Sequence, residues 1–443
     1  MSLNHKSQSA LEYMMTYGWA ILVIVIVAAV LYSLGIFSPS SSLSTTVTGF
    51  ANLGTVNAVC LGGTSFTISM GDSTGYPINV TEINLTSSSG KTTYSPNILI
   101  QPNSIQTVTV PSSSLCTSGA RYSVSAVISY LEPGQIFPGP YTSTGTVAGT
   151  ANSPPSSATL YEPLNITNTQ NQGTPSPFQQ MINVTSSSPG WGDISSSPFG
   201  QNVEFFSSTG QILDSWLENY TSTHAIWWVK LTSSIPAGSK QTIYMGFAPT
   251  STNLFNTNNI GEAPQLSSSY GEYDDGANVF NYYSNSDGGS ISAAPAPLIA
   301  DMYTQMNPNG SGIEEDIRYV NSSSYEYVAS LRQPSDCGNY YCFYLYEYND
   351  VSFEAGNIIT TTLPYGTPIV ISLYIPSYTG TGVSASINYG QMSSLSSGGY
   401  TFTPTVGEFN GAQANGETKT YWFRTRMYPP GGVMPSVTFG SVS

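Results

Sequence analysis

The chain has 443 residues, room for several domains of about 150 residues and for real hydrophobic cores. Only 8% of its residues are charged, while 40% are hydrophobic and 12% aromatic, a balance that excludes a solvated, disordered polymer. The 10 Lys and Arg against 25 Asp and Glu leave a formal charge of -15, which removes the basic footprint of a nucleic-acid binder. The surface must instead be wetted by Ser, Thr, Asn, Gly and Tyr, whose polarity does not depend on pH. Such a surface suits an acidic exterior, where the carboxylates protonate first.

The first element is the stretch KSQSALEYMMTYGWAILVIVIVAAVLYSLGIF, Lys6 to Phe37, in which a short polar head meets a nearly unbroken apolar run. A helix from Ser9 to Phe37 would be about 43 Å long, more than the roughly 30 Å of bilayer hydrocarbon. Gly35 and Pro39 mark its end. Glu12 lies one turn into the run, where a deep ionised carboxylate is costly and needs a partner or the interface. A secretory signal peptide is poorly matched at Tyr32-Ser33-Leu34-Gly35. A simple single-span anchor explains the length but not Glu12.

The Lys6-Ser7 pair, the Gln8-x-x-x-Glu12 start and the apolar run that follows resemble the class III signal peptide of archaeal type IV pilins and archaellins. There the cut precedes the apolar helix. The resemblance implies a signal peptide over residues 1–7, cleavage by a prepilin peptidase between Ser7 and Gln8, and a hydrophobic assembly or transmembrane helix over 8–38. Ser7 stands where the family usually has Gly. By the same resemblance Glu12 pairs with the new α-amino group of a neighbouring subunit and sets axial register. The alternative is an interfacial carboxylate that snorkels to water. In a filament core the apolar helices bury one another, with Ala10, Ala20, Ala28 and Ala29 permitting close approach.

Beyond Pro39 the pattern turns to short alternating strands separated by Gly, Asn and Ser, so the expected fold class is mainly β: three β-units following the helix. Strands are expected at Ser65 to Met70, Ile78 to Leu85, Ile105 to Val110 and Tyr122 to Tyr130, within an Ig-like sandwich over 40–150. Its position directly after the helix resembles the small β-domain of archaellins and archaeal pilins. The four cysteines fall as two separated pairs, as expected outside a reducing cytosol, and read as disulfides Cys60 to Cys116 and Cys337 to Cys342.

A Pro and Ser linker over 151–160 precedes a second unit, 160–266. Alternation at Ala225, Trp227, Val229 and Leu231, and again at Ile243, Met245 and Phe247, predicts paired strands around an Ile-Pro-Ala-Gly-Ser turn. The W-V-K, I-P-A-G, I-Y succession resembles a widespread domain family of unknown function in archaeal and bacterial surface proteins. The third unit, 267–443, resembles the concanavalin-like jelly roll that often follows that family. There Arg424 and Arg426, two apart on a strand, face the same side; they pair with carboxylates such as Asp274 and Asp275, or face a ligand.

The stock for chemistry is thin. His224 opens an apolar strand and reads as a structural or edge residue. Cys337-x4-Cys342 has no further Cys nearby, and the only His are His5 and His224, so no metal and no cofactor is implied. Glu314, Glu315 and Asp316 form the densest acidic cluster, with Glu347 and Asp350 a second. They read as a solvated turn or weak calcium site, although paired carboxylates do serve glycosidases. Tyr340, Tyr341, Tyr344, Tyr346 and Tyr348 are candidates for glycan contact or for core and interface packing. Seven sequons, at Asn79, Asn84, Asn165, Asn183, Asn219, Asn309 and Asn321, are compatible with an exported glycoprotein.

The expected function is a non-enzymatic structural subunit of an extracellular archaeal pilus-like filament, whose precursor resides in the cytoplasmic membrane. Its partners are copies of itself, prepilin peptidase, the assembly machinery and surface glycans. The alternatives are a membrane-anchored glycan-binding protein and an extracellular glycoside-active enzyme.

Overall fold

The structure is a computed structural model that describes residues 18, 21–23, 25, 45–254, 276–284, 296–306, 314–320, 325–332, 341–349, 352–377, 382–395 and 418–443. Gly18, Ile21, Leu22, Val23 and Val25 are helical, while Ser7, Gln8, Glu12 and the rest of the expected helix lie outside the described residues. Among the described residues no helix is long and apolar enough to cross a membrane. The chain is mainly β and divides into two compact units at Ser153/Pro154.

The first unit carries nine strands: β1 (Thr46–Gly49), β2 (Leu53–Leu61), β3 (Ser65–Asp72), β4 (Ile78–Thr86), β5 (Lys91–Tyr94), β6 (Ile98–Ile100), β7 (Ile105–Pro111), β8 (Arg121–Leu131) and β9 (Tyr141–Thr150). One sheet runs β1-β9-β8-β4-β5 with β6 also on β4, and a second runs β2-β3-β7. Alternation builds the core. Tyr122, Val124, Ala126, Ile128 and Tyr130 of β8 are buried, and the residues between them are not. On β4 the buried set shifts from Ile78 and Val80 to Ile83 and Leu85, because a bulge between Val80 and Glu82 reverses the parity. Phe66 of β3 meets Tyr122 of β8 edge to face, joining the sheets.

Cys60 and Cys116 form the expected disulfide. Beside it a Cβ on Gly62 would lie 2.1 Å from the Ser118 nitrogen, so only glycine allows the bridged segments to approach. Cys342 is oxidised and buried, and its expected partner Cys337 lies outside the described residues.

The second unit opens with β10 (Leu160–Thr167), β11 (Phe178–Thr185), β12 (Val203–Ser207), β13 (Ile212–Leu213), β14 (Ser215–Tyr220), β15 (His224–Leu231) and β16 (Lys240–Phe247). The helical turn α1 (Gly276–Val279) leads to β17 (Tyr282–Ser284), β18 (Leu298–Met306), β19 (Glu314–Val320), β20 (Tyr325–Arg332), β21 (Tyr341–Asn349) and β22 (Ser352–Leu363). Last come β23 (Ile369–Ile375), β24 (Ser384–Ile387), β25 (Ser393–Ser394), β26 (Thr418–Met427) and β27 (Ser436–Phe439). Four sheets result: β13-β12-β16-β10-β27, β11-β15-β14, β17-β26-β18-β23-β24-β25 and β19-β20-β21-β22.

Three cores separate these sheets. Leu164, Phe205, Trp227 and Met245 fill the space between the first two, and Met302, Tyr327, Phe343 and Ile371 the space between the last two. A third, aromatic core of Trp216, Trp228, Phe280, Val370 and Trp422 lies between β14-β15 and the six-stranded sheet. The two middle sheets are therefore buried on both faces, which is why β23, IVISLYI, is buried at every position.

Two expectations need correction. The segments around Ile235-Pro236-Ala237-Gly238-Ser239 do not pair with each other: β15 pairs with β11 and β14, and β16 with β10 and β12. The chain crosses between sheets there because Ile235 enters the core and the Asn168 amide donates to the carbonyls of Ile235 and Pro236, at 3.1 and 3.2 Å. In addition, β27 belongs not with the third unit but with β10, where Leu164 faces Phe439 and Ile166 faces Val437. Val437 and Phe439 cover the edge of the first core.

Glu162 of β10 is fully buried, with Oε2 accepting from the Gly190 amide at 3.2 Å and Oε1 unpaired. Burial pushes its carboxyl from the ordinary 4.5 up to about 7, the Gly190 hydrogen bond opposing and the Asp193 charge adding to the rise. A raised acid favours the folded state fully below about 4.5 and loses that contribution as pH climbs through about 7, a swing of about 3 kcal/mol. Denaturant titrations of the second unit should show a higher midpoint at pH 5 than at pH 8, and Glu162→Gln should flatten the difference. In the first unit, Cys60→Ser with Cys116→Ser opens a loop of 56 residues and should lower stability by about 4 kcal/mol. The second unit's unfolding transition should stay in place.

Candidate functional site

Trp422, Arg424 and Arg426 project from one face of β26 into the aromatic core, and both arginines are buried. Register sets Arg424 directly opposite Asp301 of β18. Arg424 Nε and Arg426 Nε donate to Asp301 Oδ2 at 2.9 and 2.7 Å, while Ser372 Oγ donates to Oδ1 at 2.7 Å. Burial alone would push Asp301 upward, but Arg426 and Arg424 outweigh it and hold the carboxyl below its ordinary value. The sequence reading placed both arginines on one side of a strand and paired them with carboxylates. The carboxylates are Asp301 and Glu218, however, and Asp274 and Asp275 lie outside the described residues.

Arg424 also spans to the neighbouring sandwich. Its Nη2 sits 2.9 Å from Glu218 Oε2 of β14 and donates to the Tyr389 oxygen at 2.6 Å. Tyr389 OH and Trp228 Nε1 donate to the same Glu218 oxygen at 2.7 and 2.6 Å. The guanidinium carbon lies 4.3 Å from the Trp228 ring centroid, 4.4 Å from those of Phe280 and Trp422, and 5.2 Å from that of Trp216. Arg424 Nη1 has no hydrogen-bond acceptor, so these π-faces stand where an acceptor would be.

Two local irregularities lie beside these partners. Leu217 pairs with Trp227 and Asn219 with Ile226, which leaves Glu218 as the extra residue of a bulge. The bulge puts Glu218 beside Asn219 on the face that carries Trp216, instead of on alternate faces. Opposite it, the turn after β24 holds Asn388 at φ 49° and Tyr389 at φ 58° and closes with Gly390 N donating to the Ile387 carbonyl at 2.8 Å. Left-handed backbone suits Asn but disfavours Tyr by about 1 kcal/mol. The bonds from Tyr389 to Glu218 and Arg424 hold it there.

The mouth of this arrangement is a cleft of about 320 Å³ whose lining includes Glu218, Asn219, His224, Tyr303, Asn388 and Tyr389, with Ile226, Pro368 and Val370 as its apolar part. His224, expected as a structural or edge residue, is half-buried at the start of β15, with Nδ1 2.9 Å from Thr221 Oγ1. Among the described residues no group of His, Cys, Asp and Glu is arranged to hold a metal. Sequence reasoning missed Glu218, Tyr389 and Asp301; only Asp301, a lone charge in an apolar strand, left a signal.

Other candidates lie elsewhere. Glu314, Glu315 and Asp316 open strand β19, opposite Arg332, Leu331 and Ser330, and do not form a turn. The alternation that carries Ile317 into the core draws them into the ladder. Glu347 is in β21, and Asp350 lies outside the described residues. Of the tyrosines, Tyr346 is buried and Tyr344 half-buried, which removes Tyr346 as a ligand contact. Tyr341 and Tyr348 are described by backbone alone, and Tyr340 lies outside. Among the sequons Asn183 and Asn219 are exposed. Asn79 and Asn84 donate their amides to Asn97 and Glu82, and Asn165 accepts from Thr242. Asn309 and Asn321 lie outside the described residues.

Removing Arg424 leaves Glu218 without its cation and Asp301 with one fewer, so Arg424→Met should destabilise the second unit by about 3–5 kcal/mol in urea unfolding. Arg424→Lys should recover little, since an ammonium lacks the planar fork that reaches both carboxylates. Adding Glu218→Gln to Arg424→Met should restore part of the loss by removing an uncompensated buried charge.

Comparison with known proteins adds three findings. A protein of Sulfolobus islandicus rod-shaped virus 1 described as "Uncharacterized protein 562" is 41% identical over 127 residues, 28% of this chain and 21% of that protein. The chain thus spans about a fifth of that relative's length. A double variant of human galectin-16 superposes over 35% of this chain and 94% of its own at 8% identity, but its TM-score of 0.20 carries no argument. Residues 199–263, which contain β12 to β16 and the Glu218 bulge, match the family described as a domain of unknown function, DUF2341.

Proposed function

We propose that the chain is the structural subunit of an extracellular, archaeal type IV pilus-like filament, a pilus or archaellum. The observation that carries this reading is the Lys6-Ser7-Gln8 head with Glu12 at the fifth position after the expected cut, placed before an apolar run and a succession of β-units. In this reading prepilin peptidase releases Gln8, and the membrane machinery transfers the 8–38 helix from lipid into a helical homopolymer. Glu12 then meets a neighbour's α-amino group, where water is scarce and an unpaired carboxylate costly. The first unit is an Ig-like pilin domain, and the second carries a surface-protein domain and a concanavalin-like jelly roll outward for adhesion.

Two features support export. The described cysteines are all oxidised, as in non-reducing compartments. The low charge leaves a surface of hydroxyls and amides whose wetting does not change with pH.

Mass spectrometry of native material should find Gln8 as the first residue, and electron micrographs should show fibres that bind an antibody to the C-terminal unit. Glu12→Ala should abolish fibres while leaving the denaturation of both β-units unchanged. An intact Met1 on a chain that stays detergent-bound would overturn the reading in favour of a membrane-anchored surface protein.

A further inference from the structure

The cleft beside Glu218 has a feature that its structural role leaves unused. Every hydrogen bond to Glu218 falls on Oε2, so Oε1 of a carboxylate only 6% exposed has no partner among the described residues. The bulge after Leu217 sets Asn219 on the same face, at the rim. Asn388 is exposed at the opposite rim, and its Oδ1 is taken by the Val370 amide at 2.9 Å, which leaves the Nδ2 donors without an acceptor among the described residues. His224 has Nδ1 on Thr221, leaving Nε2. The cleft thus presents an anchored acceptor and several donors or acceptors spaced around it.

The charge balance narrows what could enter. Glu218 and Asp301 carry two negative charges and Arg424 and Arg426 two positive ones, all buried and mutually paired. Among the described residues no Lys or Arg lines the cleft, so an anion gains nothing, and Glu218 is already neutralised, so a cation gains little. Ile226, Pro368 and Val370 supply apolar surface, and Tyr303 is held against Trp422 with ring centroids 5.6 Å apart. A neutral molecule with an apolar C–H face and hydroxyls around its edge matches both properties.

We propose that this cleft is a binding site for a neutral sugar residue. Glu218 Oε1 accepts from one ligand hydroxyl, Asn388 Nδ2 donates to another, and the Asn219 amide and His224 Nε2 bracket the rim. The volume, about 320 Å³, is in the range of small-ligand pockets and suits one or two sugar rings. The inference does not depend on filament assembly and differs from the tyrosine patch of β21, since it uses none of those residues.

Saturation-transfer difference NMR on the full chain, produced without glycosylation, tests it with glucose, galactose, mannose and N-acetylglucosamine and their methyl glycosides. Glucuronate and glucosamine serve as charged controls. At least one neutral sugar should bind and the charged ones should not; equal binding of the methyl glycoside marks a glycan terminus as the natural source. Asn388→Asp keeps the acceptor to Val370 and tolerates the left-handed backbone but removes the donor. It should weaken binding about fivefold to tenfold with an unchanged unfolding midpoint. Asn219→Ser should weaken it less. Absence of transfer from every neutral sugar, or binding undiminished in both variants, overturns the proposal. Fibrous and detergent-dispersed protein are equally usable, so failure here is distinct from failure to assemble.

Discussion

The second unit depends on one buried guanidinium. Arg424 lies between the two middle sheets, and it is bonded to a carboxylate on each side: Asp301 in its own sheet and Glu218 in the next sandwich. Transferring such a group from water is expensive, and the geometry offsets this through charge, hydrogen bonds and aromatic faces at once. An apolar residue would bury as readily but would not dictate how one sandwich sits on the other. A bifurcated cation does, since both carboxylates must be met together.

The irregular features of the unit follow from this demand. In a regular β14 Glu218 would share the face of Trp216 and Asn219 would turn away; the bulge brings both to the same face. A glycine at position 389 would satisfy the left-handed turn without strain, but only a tyrosine supplies the hydroxyl that links Glu218 to Arg424. Gln179 of β11 reinforces the same junction, its amide donating to Val279 and Asn281 and its carbonyl accepting from the Met427 amide. Hydrogen-bonded polar side chains thereby give direction to an interface whose bulk is aromatic.

The buried carboxylates also divide by role. Asp301, held low by two arginines, supports the fold above its ordinary value near 3.8 and withdraws that support in stronger acid. Glu162, raised by burial with one oxygen unpaired, supports it from the other side, below neutrality. Together they favour a mildly acidic window, in keeping with a surface that relies on hydroxyls and amides.

Much of the fold was legible along the chain. The strands at Ser65, Ile78, Ile105 and Tyr122, the mainly β class and the Cys60 to Cys116 bridge are local matters of alternation, turn residues and cysteine spacing. The common face of Arg424 and Arg426 was also readable, because a strand's period is two. Their partners were not: Glu218 and Asp301 stand 206 and 123 residues away from Arg424, and no periodicity reports on who lies across an interface. The crossing at Ile235 and the return of β27 to β10 escaped for the same reason, since consecutive alternating runs look identical whether they pair together or join opposite sheets. Composition and spacing decided which segments become strands and which face of each is apolar. Sheet membership, the bulge that redirects Asn219 and the cleft beside it came only from packing, where distant side chains first compete for the same buried space.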